Sequence, residues 1–517
     1  MAASALVTQL LVRAHQLLNF AESNQLATIS TVLGAFILWF LSARYNDLSD
    51  LPGPFWASIT NLYRFFDQWT WSPHLNHISL HKRHGTFLRY GPNVVSISSP
   101  DAIPIIYGVN KGFLKSEFYP VQQPISGGRK VEGMFNTTSD KIHAAFRKPV
   151  ANMYAQSTLI GYEPLVDSTI RMLQKRLDEF ADGRDLDLGQ WLQYFAFDVI
   201  GEMTFSKRLG FLETGGDVEG VIVGIEDSLR YSALIGQMPW LDYILRTNPI
   251  IRLISAPTSY VVQFARNRLS ERLASGSEKP TNDFLSKFLA ANEKDPVSAP
   301  QSHVFAWTVS NVNAGSDTTA ISLRSIFYYL LKNPQSMRRL REEIDWAVKE
   351  ALIRPGELVS WATSQQMPYL EAVIMEGMRL HPVTGTILER VVPKGGREIC
   401  GRFFKEGTIV GISPWVVQRD RTVYGEDAEL WRPERWTEAG EKERKRMDGA
   451  FLGFGAGSRT CIGKNISRLE MFKLVPWMVG NYEMELADPK KEWDLLNAWF
   501  VKQTGVIVKL RKRDWSA

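Results

Sequence analysis

The chain has 517 residues, 44% of them hydrophobic and 22% charged, and sixty basic against fifty-five acidic side chains leave a formal charge of +5. That length admits several domains or one large catalytic domain, while so small and dispersed an excess of charge gives no argument for nucleic acid and leaves room for a local basic patch facing a partner or an anionic membrane. Two cysteines, Cys400 and Cys461, are too few for a disulfide-rich secreted chain or for a structural zinc site.

The first predicted element is a membrane anchor. Ser23 to Ala43 carries no charge, is bracketed by Glu22 and Arg44, and as twenty-one helical residues would span about 32 Å, one hydrocarbon core. A cleaved signal peptide fits less well, because the lead-in is long and Leu41 stands where a cleavage site wants a small residue. Leu51-Pro52-Gly53-Pro54 then forms a stiff, non-helical joint. The expected organisation is an N-terminal segment 1–22, a transmembrane anchor 23–43, a Pro-rich linker 44–60 and one catalytic domain 61–517.

Within that domain, Thr86 to Tyr90 and Val94 to Ile97 read as strands joined by Gly91-Pro92-Asn93. From about 140 to 380 the periodicity is helical, including one continuous run from Val304 to Leu330. Residues 233–263 are unusually apolar, which suits core helices or a lid that dips into a membrane. Short strands return over 386–412. A long helix carrying Ile466, Leu469 and Phe472 on one stripe follows Cys461, and Gly505 to Leu510 is strand-like. The fold class is mainly α with small β-sheets, an α+β domain.

The chemistry concentrates in Phe454-Gly455-Ala456-Gly457-Ser458-Arg459-Thr460-Cys461-Ile462-Gly463. The glycines let backbone turn tightly beside a flat cofactor. Cys461 precedes a helix whose N-terminal amides stabilise a thiolate, and Arg459 can meet an anionic group. A nucleotide-binding G-x-G-x-x-G loop is excluded because Thr460 stands at the third glycine. From Phe454 to Gly463 the segment resembles the haem-binding loop of the cytochrome P-450 family at every fixed position, in which a cysteine holds the iron.

The resemblance extends over roughly residues 50–510 and is closest in appearance to fungal pisatin-demethylase-like members. It implies the fold of that family, an N-terminal transmembrane helix, and haem b bound through Cys461, with Phe454 and Arg459 beside it. Glu376-Gly377-Met378-Arg379 resembles the family's core helix, and with Arg435 of Pro433-Glu434-Arg435-Trp436 it implies a structural triad supporting the Cys loop. Ala314-Gly315-Ser316-Asp317-Thr318-Thr319 resembles the oxygen-activating motif. There Gly315 is expected to open room beside the iron. Thr318 would bond the Ala314 carbonyl and distort the helix, and Asp317 would feed protons through Thr318. His143 and Arg147, and separately Arg390, match groups that hold the haem propionates. One departure is Gln418, where family members often carry His.

The implied activity is that of a monooxygenase oxidising a hydrophobic small molecule, as fungal relatives do in secondary metabolism. Electrons would come from NADPH through NADPH-cytochrome P-450 reductase. A basic cluster of Lys442, Arg444, Lys445 and Arg446, with Lys148, reads first as a solvated turn, and the alternative is a docking patch for that acidic partner. The implied setting is single-pass in the endoplasmic reticulum membrane with the catalytic domain cytosolic. Candidate pocket residues are Phe118 to Ile125, Asn311, Val383 to Ile387 and Trp499 to Val501. Two further readings remain at this point, a haem-thiolate isomerase or dehydratase needing no reductase, and a non-catalytic haem protein. The acid–alcohol pair Asp317–Thr318 favours the monooxygenase over both.

Overall fold

The structure, a computed structural model, describes residues 25–254, 258–274 and 282–515, together with positions 9, 12, 13 and 16. The expected segment 1–22 and the start of the anchor at Ser23 otherwise lie outside the described residues. Helix α1 (Gln25–Arg44) holds one window, Ala27–Arg44, long and apolar enough to cross a membrane, and none of that window is buried against protein. Its last carbonyls lack helical partners. Arg89 supplies them, donating to the carbonyls of Ala43 at 2.6 Å and Arg44 at 2.9 Å.

The linker packs on the body. Leu48, Ala57 and Ile59 are buried, Arg402 pairs with Asp50, and a Cβ at residue 53 would lie 2.3 Å from the Arg89 carbonyl oxygen, so glycine is needed there. Strands β1 (Phe87–Gly91), β2 (Val94–Ile97), β3 (Leu114–Lys115), β4 (Arg390–Val391) and β5 (Ile409–Gly411) form one sheet in the order β1-β2-β5-β4-β3. β2 and β5 are parallel and the other pairs antiparallel, which sets Val410 beside Val95 and Lys115 opposite Arg390.

The body is helical: α2 (Leu62–Trp69), α3 (Asp140–Arg147), α4 (Leu188–Phe205), α5 (Val221–Ile235), α6 (Gln301–Gly315), α7 (Asp317–Lys332), α8 (Pro368–Leu380) and α9 (Lys464–Asn481) carry the site. All but one residue of α4 are buried, as an all-round apolar helix requires, and it packs against α6 and α7. The hairpin β6 (Asp494–Ala498) and β7 (Phe500–Thr504) turns through one residue, Trp499.

Two expectations are corrected. The run Val304 to Leu330 is not one helix; it breaks at Ser316, whose φ is −92° and ψ −68°. Ser316 Oγ donates back to the Val312 carbonyl at 3.0 Å, and Thr318 Oγ1 to the Ala314 carbonyl at 2.8 Å. Such back-bonds bend helices. Nor does Gly315 open room in the chamber: it faces α4, where a Cβ would lie 2.8 Å from Ile200 Cγ1. The segment 233–263 divides between its two readings. Ala233, Ile235, Val261 and Val262 are buried, whereas Trp240 and Ile250 are 61% and 67% exposed.

Candidate active site

A chamber of about 250 Å³ lies between α6–α7, the Cys loop, and β4. Ala314, Thr318 and Ser322 line one side and Cys461 lines it from the Cys loop, with Met378, Val383 and Phe500 adding apolar wall. The Cys loop is held by its own backbone. The Cys461 amide donates to the Phe454 carbonyl at 2.8 Å, and Thr460 Oγ1 donates to the same oxygen at 3.1 Å. Gly457 has φ +63°, and a Cβ there would stand 1.7 Å from the Tyr107 carbonyl oxygen, so no other residue fits.

Cys461 is open to the chamber yet hemmed in by protein on its other sides. Burial pushes its thiol up; the amides of Gly463 and Lys464 and the charges of Arg147 and Lys464 oppose that rise without cancelling it. The helix start alone therefore does not make a stable thiolate, and a coordinated metal ion would. Cys400 lies elsewhere, in the turn between strands Arg397–Ile399 and Arg402–Phe404.

Basic side chains crowd one edge of the chamber. Lys115, His143, Arg147, Arg390 and Arg459 all line it. Burial, and then the fields of Arg459, Arg147 and Lys115, push His143 down to about 4. Burial, followed by Arg390 and Arg459, pulls Lys115 well below the usual lysine range. Of these five, Arg459 alone has a carboxylate partner among the described residues, Asp140 at 2.8 Å. Arg147 donates to the Thr460 carbonyl at 2.9 Å, and Arg390 to the Tyr119 hydroxyl at 3.3 Å. Cations set opposite each other across strands, as Lys115 and Arg390 are, repel, and buried charge needs a counter-charge. The edge suits a flat ligand bearing carboxylates, and haem propionates fit it.

Behind the loop sits a buried ion-pair network. Arg379 grips Glu376 with two 2.8 Å bonds, and Arg435 Nε donates to the same carboxylate at 3.0 Å. The Trp436 indole and the Arg432 amide add bonds at 2.9 and 3.0 Å. Burial alone would raise Glu376; the guanidinia of Arg379 and Arg435 outweigh it and hold the carboxyl below its usual range. Gln418, the departure from the family pattern, has work here. Its amide nitrogen donates to the carbonyls of Met378 and Arg379, and its oxygen accepts the Leu452 amide at 2.8 Å, tying α8 to the start of the Cys loop.

The structure separates Asp317 from Thr318. Thr318 lines the chamber, whereas Asp317 borders a second cavity of about 100 Å³, walled by Glu226, Arg230 and Lys502. Successive helical residues point roughly 100° apart, so neighbours in sequence serve different spaces. Burial raises the Asp317 carboxyl, against the opposing charges of Lys502 and Arg324 and a hydrogen bond from Gln193.

Of the expected pocket residues, Tyr119, Val383, Thr384, Trp499 and Phe500 line the chamber. Asn311 does not: it is buried between Tyr154 and Thr204, accepting from the tyrosine hydroxyl at 2.6 Å. Lys115, Tyr107 and Met134 line the chamber unforeseen. Nothing read from the sequence placed them there; Lys115 arrives through the pairing of β3 with β4, opposite Arg390. In the basic cluster, Lys442, Lys445 and Arg446 are exposed, while Arg444 is engaged by Glu371 and Asp448.

A family model described as Cytochrome P450 matches residues 51–510. Cytochrome P450 monooxygenase cicH of Emericella nidulans is 44% identical over 485 residues, covering 92% of this chain and 96% of that protein. A cytochrome P450 monooxygenase of Aspergillus terreus is 43% identical over 478 residues, covering 90% and 96%. Cytochrome P450 monooxygenase mpaDE of Penicillium brevicompactum is 41% identical over 476 residues, 90% of this chain but 56% of that longer protein. The chain belongs to the cytochrome P450 family, as a monooxygenase that uses haem.

Proposed function

We propose that Cys461 would hold the iron of haem b through its thiolate, with Arg147, Arg390, Arg459, Lys115 and His143 placed to receive the propionates, and that the enzyme oxidises a hydrophobic intermediate of fungal secondary metabolism. The observation that carries this reading is the single chamber into which Cys461, that ring of cations and Thr318 all face. When bound, the haem supplies dioxygen activation, its cysteine ligand donating electron density that favours O–O cleavage.

The chain's own residues supply position, dryness and protons. Thr318 Oγ1 commits its proton to the Ala314 carbonyl, so its lone pairs face the chamber and accept from a water there. Asp317, on its separate cavity, takes protons from the surface side and passes them across the helix break at Ser316. The monooxygenase keeps this pair where an isomerase has no use for it. Thr318→Ala should leave haem and substrate binding intact while product per NADPH consumed falls and peroxide rises. Positioned proton transfer contributes about 10²–10⁴ in rate, so product formation should drop at least that far into the range. A Thr318→Ala enzyme still fully coupled on its substrate would end the assignment.

The anchor is read as single-pass in the endoplasmic reticulum membrane, with the catalytic domain cytosolic. α2 and the segment after α5 support a second contact, since Phe66, Trp69, Trp240 and Tyr243 are all exposed. Removal of residues 1–44 should release only part of the protein from membranes and preserve the haem spectrum; complete release would remove the second contact from the account. NADPH-cytochrome P-450 reductase is the proposed electron donor, docking on Lys442, Lys445 and Arg446 with Lys148. Charge reversal at Lys442 and Lys445 should slow haem reduction, and added salt should slow the wild type. Reduction indifferent to both would remove the patch from the docking face.

A further inference from the structure

Strand β3 is the edge of its sheet and is held there by β4 through two residue pairs, Leu114 with Val391 and Lys115 with Arg390. So short a strand has little hold of its own, and the second pair works against it. Both side chains are buried, and like charges directly opposite each other repel. Burial and then Arg390 accordingly pull Lys115 well below the usual lysine range. Tyr119 touches both groups, its ring centre 4.1 Å from Lys115 Nζ and its hydroxyl 3.3 Å from Arg390 Nη1. It supplies no counter-charge, because burial keeps its hydroxyl protonated.

The force that opposes this repulsion lies on the other face of the same two strands. Side chains alternate along a strand, so Ser116 and Glu389, the neighbours of Lys115 and Arg390, turn away from the chamber. The antiparallel register sets the two opposite each other, next to the basic pair. Ser116 Oγ donates to Glu389 Oε2 at 2.5 Å, and Arg64 of α2 donates to Glu389 Oε1. Lys115 and Arg390 line the chamber, whereas Glu389 and Arg64 border a separate small cavity. The Arg64 and Glu389 side chains are 4% and 5% exposed. Both carboxylate oxygens are thus held in a dry place, where hydrogen bonds to a charged group are strong.

We propose that Ser116 and Glu389, braced by Arg64, are positioning residues for the basic edge of the chamber: they tie β3 to β4 from behind and hold Lys115 beside Arg390, where the two can share a carboxylate of the cofactor. The proposal rests on the chamber being the haem site. None of the three tie residues touches the cofactor; they act through the placement of Lys115. With the tie made, the pair is set before a propionate arrives, and binding has less to order. Without it, the edge strand is free to carry Lys115 away from Arg390, and the propionate keeps one partner instead of two.

The test is transfer of haem from the full-length ferric holoenzyme in detergent to excess apomyoglobin, with the propionate bending band in the resonance Raman spectrum as a second readout. Ser116→Ala removes one bond of the tie and leaves the Arg64–Glu389 pair in place. It should speed haem release by about 10-fold, the worth of one hydrogen bond to a charged group, and should shift the propionate band. Glu389→Gln should act in the same direction and serves if Ser116→Ala does not fold. In a Lys115→Met background, Ser116→Ala should add less than about twofold, since no amine is left to hold beside Arg390. An equal acceleration in both backgrounds overturns the proposal, because it marks a bond that supports the fold without placing Lys115. Release and band unchanged in both Ser116→Ala and Glu389→Gln also overturn it. Lys115→Met and Arg390→Met proteins that each release haem at the wild-type rate would instead overturn the propionate reading beneath it.

Discussion

Glu376→Ala should cost the enzyme about 3–5 kcal/mol, the usual penalty for leaving a buried partner charge uncompensated. Arg379, Arg435 and Glu376 are all within a few per cent of complete burial, so water cannot replace the lost carboxylate. The whole stability of a domain is about 5–15 kcal/mol, and the loss is therefore a large share of it. The damage also has a direction. Arg379 holds the carbonyls of Gln418, Ala428 and Leu430, and Arg435 holds those of Tyr424 and Asp427. Arg379 would be left to neutral carbonyls alone and Arg435 to its one remaining carboxylate, Asp427 at 3.1 Å, and the segment before the Cys loop would loosen. The expected result is a lower melting temperature with haem lost before global unfolding. Glu376→Gln, which keeps acceptor and shape but not charge, should fall between. A Glu376→Ala protein with wild-type melting and haem content would show that the triad is dispensable.

The parts of the site legible in the sequence were those whose chemistry is local. The Cys loop reads from ten consecutive residues because its turn takes a positive φ at Gly457 and carries, at 461, the cysteine proposed as the ligand. The Glu376–Arg379 pair reads from helical spacing, and Arg435 only from resemblance. Other features depend on contacts distant in sequence. Lys115 joins the cation ring because β3 pairs with β4, some 275 residues away in the chain. The distortion was legible in Thr318, whose back-bond to the Ala314 carbonyl is present at 2.8 Å, but the apolar pattern runs on through Ser316 and does not show that the helix ends there and restarts. Asp317 and Thr318 read as a unit, yet the packing of α4 and α5 assigns them to different cavities. The apolar stretch 233–263 was ambiguous for the same reason, since hydrophobicity does not tell a buried face from one awaiting a membrane. Arg444 looked like part of a free basic patch until its acidic neighbours came into view.

The second large effect is expected at Cys461. Burial raises the thiol there, and a coordinated metal ion would favour the thiolate. Cys461→Ala removes the one thiol that faces the chamber among the described residues, and with it the group proposed to hold the iron. Activity should vanish, and haem, if retained through its propionates, should lose its thiolate spectrum. Cys400→Ala, in a turn remote from the chamber, should change neither and serves as the control. The most direct measurement is the spectrum of the reduced, carbon-monoxide-bound protein for wild type, Cys400→Ala and Cys461→Ala. The account predicts the long-wavelength band of a haem-thiolate protein in the first two and its absence in the third. The same band persisting in Cys461→Ala would contradict it.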